Sequence, residues 1–152
     1  MGPKLQVTFD CADPDRLTGF WILALGYELE PPPDGHPDWI SYWRASGVPE
    51  EELTGGGSGC DSIIDPDGVG PRIWFQIVPE GKTAKNRMHL DLSVSGGRDV
   101  AKAVRKERIE AKVTELVAAG GERVRTLELP DPAATYYGVT MRDPEGNEFC
   151  IN

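Results

Sequence analysis

The chain has 152 residues, 39% of them apolar and 27% charged, enough to build one compact domain, or one domain of two small halves, and too much apolar material for global disorder. Its 16 basic and 25 acidic residues give a net charge of −9, which argues against the phosphate backbone of nucleic acid and against anionic membrane surfaces as partners. No apolar run approaches the roughly 20 residues of a membrane span, and no signal-peptide pattern opens the chain; the 3 cysteines, without CxxC spacing, fit a reducing cytoplasm better than a disulfide framework or a structural zinc knuckle.

In chain order, Leu5–Asp10 alternates apolar and polar residues, as a half-buried strand does. A helix is expected from about Asp13 to Leu25, with Asp13 as N-cap, Pro14 at the first helical position and Gly26 as the stop. Tyr27–Glu30 reads as a strand. Residues 31–59 open with a proline-rich turn. A short helix over Pro37–Ala45 follows, with Trp39 and Trp43 on one face, then a second beginning near Pro49 and a glycine-rich run over 54–59. This stretch is read as an insertion, either a lid over a site or packing against a sheet edge. Ile63–Gly68 leads through an Asp-Pro-Asp-Gly turn into the strand Arg72–Ile77.

Met88–Val94 alternates again. The spacing predicts a helix from about Arg98 to Ala119, with its apolar stripe through Val100, Val104, Ile109, Val113, Leu116 and Val117, ended by Gly120-Gly121. Arg123–Leu129 reads as a strand. Thr140–Gly146 and Asn147–Ile151 form a second strand–turn–strand around Asp143-Pro144-Glu145-Gly146. The order strand–helix–strand–strand–strand thus occurs twice, over about residues 4–79 and 86–152, and predicts an internal duplication. The fold class is α+β. Each apolar sheet face needs a helix to cover it, and the expected architecture is two βαβββ modules in a cup-shaped, partly open mixed sheet with the helices outside.

Strand alternation assigns the faces. Gln6, Thr8 and Asp10 share one face and Val7, Phe9 and Cys11 the other; His89, Asp91 and Ser93 oppose Leu90, Leu92 and Val94. Arg72, Trp74 and Gln76 oppose Ile73, Phe75 and Ile77, and Glu148, Cys150 and Asn152 oppose Phe149 and Ile151. Trp74, His89 and Cys150 are unusual on a solvated face, so the polar faces are read as the lining of the cup. His89 suits a general base or a ligand. Trp74, Tyr136, Tyr137 and the Trp39/Trp43 pair suit aromatic walls. Arg72 and Arg87 suit anchors for an anionic group. The chain contains no GxGxxG, GxxxxGK[ST] or GxSxG motif, so nucleotide and serine-hydrolase chemistry are unsupported.

The run Gln6…Asp13-Pro14…Phe20-Trp21…Leu25-Gly26-Tyr27 and the closing Asp143-Pro144-Glu145-Gly146-Asn147…Phe149 resemble the glyoxalase/bleomycin-resistance/extradiol-dioxygenase (vicinal oxygen chelate) superfamily. Ile64–Arg72 and Val78–Asp91 are similar to the glyoxalase-like branch common in actinobacteria. The resemblance spans nearly the whole chain, 1–152, as a single glyoxalase-like domain with paired βαβββ modules. It implies a metal position on the first and last strand of each module, here Gln6, Gln76, His89 and Cys150. Gln6 and His89 keep the metal pattern; Gln76 and Cys150 depart from it by lacking a carboxylate, which disfavours a hard cation. A soft ion would accept His89 and a deprotonated Cys150, and Asp10 and Asp91 offer a shifted set.

Three functions remain open. One is a metal-free enzyme with His89 or Asp10 as its base; the other two are implied by the resemblance. The first is a binding protein of the resistance type, with a small organic molecule in the cup and no cofactor. The second is a metal-dependent lyase, isomerase or dioxygenase. On either reading the catalytic candidate is His89, the substrate-binding candidates are Asp10, Arg72, Trp74, Gln76, Asp91, Tyr137 and Cys150, and the metal candidates are Gln6 and His89. The family also implies a homodimer.

Overall fold

The computed structural model describes residues 2–53, 58–129 and 136–152, so part of the glycine-rich run, 54–57, lies outside the described residues. Its elements are β1 (Gln6–Cys11), α1 (Pro14–Leu25), β2 (Glu28–Leu29), α2 (Trp39–Ala45), α3 (Glu50–Leu53), β3 (Ser62–Ile64) and β4 (Arg72–Ile77), followed by β5 (Leu90–Leu92), α4 (Lys102–Ala118), β6 (Glu122–Glu128), β7 (Tyr137–Arg142) and β8 (Glu148–Ile151). The strands form two four-stranded mixed sheets, ordered β1-β4-β3-β2 and β5-β8-β7-β6. In each, the first and last strands of a βαβββ unit pair in parallel and the remaining pairs are antiparallel. The identical strand order is what a duplication requires. The chain divides into two compact units, Met1–Ile22 with Gly26–Pro79, and Leu23–Leu25 with Glu80–Asn152.

In the first unit, Asp13 caps α1 by accepting from the Arg16 backbone N–H at 3.0 Å, and Gly26 ends the helix at φ 73°, a left-handed conformation that glycine adopts without a Cβ clash. Leu17, Phe20 and Trp21 are buried. The Trp21 ring lies 5.0 Å from Phe9, which stacks at 5.6 Å on Phe75, so one aromatic column joins α1 to β1 and β4. Both helices of the insertion form. The Trp39 indole donates to the Glu30 carbonyl at 2.7 Å and the Trp43 indole to the Gly59 carbonyl at 2.8 Å, which ties α2 to the chain at both ends of the insertion.

In the second unit α4 covers one face of its sheet. Its buried residues are Arg105, Ile109, Val113 and Leu116. This corrects the expected stripe. Val104 and Val117 are 39% and 47% exposed, and the buried row follows i, i+4, i+8, i+11 from Arg105, whose Nε donates to the Val100 carbonyl at 3.0 Å. The helix also begins later than expected, because residues 97–100 close a turn, Val100 N–H to Gly97 C=O, after two glycines at φ 86° and 96°. A β-bulge between Arg123 and Arg125 shifts the β6–β7 register. On the α4 side of this bulge Arg123 reaches Glu110, which also accepts from the buried Tyr137 hydroxyl.

The two aspartate turns are built alike. Asp65 accepts from the N–H groups of Asp67, Val69 and Gly70. Asp143, 3% exposed, accepts from Glu145 N at 3.0 Å, Asn147 N at 2.9 Å and the Asn147 side-chain amide at 2.9 Å. Removing the Asp143 carboxylate would leave two backbone donors without an acceptor. Asp143→Ala is therefore expected to destabilise the chain by about 2 kcal/mol in urea unfolding; unchanged stability would refute this account of the turn. Glu110 is held below the usual carboxylate range, first by its bond from Arg123 and then by that from Tyr137. The stability it supplies is thus present above its unfolded value and lost as pH falls through its depressed folded one. Glu110→Gln is expected to lower the unfolding midpoint at neutral pH, with the difference from the unaltered chain closing as pH falls through the depressed folded-state value. A difference independent of pH would assign the effect to packing.

Candidate functional site

The side chains with chemical capacity gather on the face of the second sheet turned away from α4. Parallel pairing of β5 with β8 sets Asp91 opposite Cys150, and antiparallel pairing of β8 with β7 sets Cys150 opposite Thr140. β6 adds Arg125 opposite Thr140, completing the row Asp91–Cys150–Thr140–Arg125. His89, expected within the strand, lies one residue before β5. Its Nδ1 is 3.1 Å from Asp91 Oδ1. Cys150 is partly buried, with its Sγ 3.6 Å from Thr140 Oγ1. One donor atom from each of His89, Asp91 and Cys150 falls within 4.8 Å of the others.

Tyr136 closes this group on one side. Its hydroxyl is pushed above the ordinary phenol range, by burial first and then by the neighbouring Cys150 and Asp91. A Cβ added at residue 138 would stand 2.7 Å from the Tyr136 hydroxyl and 3.2 Å from the Ile151 carbonyl, so glycine is what lets the phenol fold over β7. Gly138 and Thr140 were absent from the sequence candidates. The signal was present in the alternation Tyr137-Gly138-Val139-Thr140-Met141, small or polar on one face and large on the other. Tyr137 itself is on the opposite face from the one expected of a site wall. It is 4% exposed, donates to Glu110 of α4, and lies under the Lys106 ammonium at 4.7 Å from the ring centre.

The first unit carries its candidates on the polar face of its own sheet, and there they are largely engaged with one another. Arg72 donates through Nε and Nη2 to Glu30, through Nη2 to Ser62 Oγ at 2.7 Å, and through Nη1 to Gln6 Oε1 at 2.8 Å. The guanidinium therefore serves an internal knot and not the open anchor expected of it. Trp74 donates to Asp61 at 2.6 Å. Asp10 and Gln76 face each other in the β1–β4 register. For a metal, this donor set is poor. Gln6 presents its amide oxygen to a cation already in place, and a second cation there would meet the Arg72 charge. The residues of the second unit fit better, since imidazole, carboxylate and thiol are all recognised ligand types for zinc.

A concavity of about 530 Å³ lies elsewhere in the same unit, lined by Lys82–Lys85, Gly120, Glu122, Arg142–Gly146 and Glu148. Two of its three cations are paired with carboxylates, Lys85 with Glu148 and Arg142 with Glu122 at 3.4 Å, while Lys82 donates to the Ala84 carbonyl. Among the described residues no helix is long and apolar enough to cross a membrane.

The model of the glyoxalase-like domain family matches residues 6–152. No curated protein matches the chain in sequence. Solved structures do match in fold. A glyoxalase/bleomycin resistance protein/dioxygenase family enzyme from Burkholderia phytofirmans is 16% identical with a TM-score of 0.58, over 97% of this chain and 94% of that one. A superfamily member from Sphaerobacter thermophilus is 13% identical with a TM-score of 0.54, over 99% and 96%. The fosfomycin resistance protein FosX from Listeria monocytogenes, solved with Mn(II) and 1S,2S-dihydroxypropylphosphonic acid, is 11% identical with a TM-score of 0.57, over 100% and 90%. The match over nearly its whole length makes this chain a member of the glyoxalase-like domain family.

Proposed function

We propose that the chain binds a small organic molecule against the sheet face that carries His89, Asp91, Tyr136, Thr140 and Cys150, as resistance-type members of the superfamily do. The observation that carries this reading is the convergence of these side chains from three elements of one sheet. An imidazole and a carboxylate 3.1 Å apart, a hydroxyl, a thiol and a partly exposed phenol lie together on the face that α4 does not cover. Small-molecule sites combine a few placed polar groups with aromatic surface in this way. His89 and Asp91 supply polar groups side by side, the imidazole Nδ1 3.1 Å from the Asp91 carboxylate, on the exposed side of the row where a ligand's polar group would meet them. Tyr136 supplies a flat wall. FosX, a fold neighbour, holds a phosphonate-bearing molecule, which makes fosfomycin a useful probe beside flat aromatic fragments.

The test is a fragment screen on the isotope-labelled chain read by amide chemical shifts, with fosfomycin included. Saturable shifts are expected at Asp91, Tyr136, Gly138, Thr140 and Cys150, and His89→Ala is expected to weaken the best binder about tenfold, the loss of one good polar contact. Hits that converge on the 82–85 and 142–148 concavity, or an absence of saturable binders, would sink the reading.

A further inference from the structure

We infer that Arg125 is the anion-recognition residue of the site proposed above, and that the ligand is a flat organic acid. Its carboxylate meets the Arg125 guanidinium on β6, and its polar end meets His89 and Asp91 toward the opposite edge of the same sheet. This rests on the reading of where the organic ligand lies, and it names the chemical class of that ligand.

The β-bulge of β6 carries the argument. Arg123 and Arg125 are two residues apart, and in a regular strand they would share a face. Here the register breaks between them. Arg123 pairs with the buried Met141 and reaches Glu110 of α4. Arg125 pairs with Thr140, whose Oγ1 lies 3.6 Å from the Cys150 sulfur on the other face. A second contact reports the same break: Arg123 Nη1 donates to Thr126 Oγ1 at 3.0 Å, although residues three apart stand on opposite faces of an unbroken strand. The bulge thus sends the first arginine to α4 and the second to the row with Asp91, Cys150 and Thr140. Bulges beside sites re-aim side chains in this way.

The guanidinium delivered there is open to a ligand. Arg125 is exposed and, among the described residues, makes no hydrogen bond or ion pair. The two carboxylates of its own strand are engaged elsewhere, Glu122 with Arg142 at 3.4 Å, and Glu128 with Lys102 at 3.2 Å and Lys106 at 3.0 Å. Arg72 in the first unit, by contrast, is taken up by Glu30, Ser62 and Gln6. A guanidinium fork matches a carboxylate with two parallel N–H···O bonds. The net charge of −9 repels anions from the chain at large, so a preference for an acid has to come from a local cation.

The distance between the two ends sets the shape of the ligand. Asp91 and Arg125 are three strand spacings apart, roughly 14 Å between backbones at about 4.8 Å per spacing. Between them the Tyr136 phenol folds over Gly138, and Leu127, the register partner of Gly138, adds apolar surface on the same face. His89 and Asp91, about half exposed, take a hydroxyl or amine at the far end. A rigid aromatic body with a carboxylate at one end and a hydroxyl at the other fits this layout.

The experiment compares para-hydroxycinnamate with its neutral primary amide, each titrated into the isotope-labelled chain and followed by amide shifts. The acid is expected to bind at least about tenfold tighter than the amide, with shifts at Arg125, Gly138 and Thr140. Arg125→Gln should bring the acid down to the affinity of the amide and leave the amide unchanged. The residue is exposed, so the variant keeps the fold, which its own amide spectrum checks. Arg16→Gln, which removes the same charge from α1, should leave the preference in place. Equal affinity of acid and amide, or a preference that survives Arg125→Gln, would overturn the role of Arg125. If both probes shift Asp91 and Tyr136 equally, the site stands and its anion end is lost. If neither probe binds, the organic-acid class is overturned, and the fragment screen decides the site separately.

Discussion

The hairpin closed by Asp143 is the constraint from which the candidate site follows. A strand places alternate side chains on opposite faces, so a slip of β8 by one residue along β7 would turn Cys150 onto α4 and bring Phe149 and Ile151 out. The buried Asp143 carboxylate makes that slip costly, because it satisfies the N–H groups of Glu145 and Asn147 in one turn geometry only. Asn86 contributes from outside the hairpin by accepting from the Glu148 N–H at 3.3 Å. With β8 fixed, β5 pairs along it and delivers Asp91, and His89 beside it, to the same row.

The opposite face explains why the polar row is free to carry chemistry. Ile109, Val113 and Leu116 of α4 are buried together with Tyr137, Val139, Met141, Phe149 and Ile151 of the sheet. At roughly 25 cal/mol per Å² of apolar surface removed from water, this layer is the main source of the unit's stability. The first unit makes a parallel arrangement from Phe9, Trp21 and Phe75, and its polar row is closed instead by the Arg72–Glu30 ion pair with Ser62 and Gln6. The same backbone therefore supports a face whose polar groups largely bond one another in one unit and a face with ligand-type side chains in the other.

Much of this was legible from sequence, for local reasons. Asp13, Pro14 and Gly26 mark α1 because cap chemistry is set within four residues, and the two aspartate turns announce their hairpins in the same way. Strand alternation placed His89, Asp91 and Cys150 on one side correctly relative to their apolar neighbours. What could not be read was set by pairing across the chain. Thr140 and Gly138 enter the site only through the β7–β8 register. Arg72 is engaged because Glu30, distant in sequence, comes beside it. The stripe of α4 was misjudged where a long polar side chain, Arg105, buries its aliphatic stem and displaces Val104 outward, an exchange that composition does not reveal.

Gly138 has a wider consequence. Because the Tyr136 phenol occupies the space that a Cβ at 138 would fill, the identity of the smallest residue on β7 dictates the pose of the largest one beside the site. A side chain at 138 would force the outer end of the phenol to shift from its place over the strand. In a lineage that diversifies what it recognises, a single codon at this position would act as a shape selector. It would alter the flat surface over the row, at the cost of a close approach to the Ile151 carbonyl of β8.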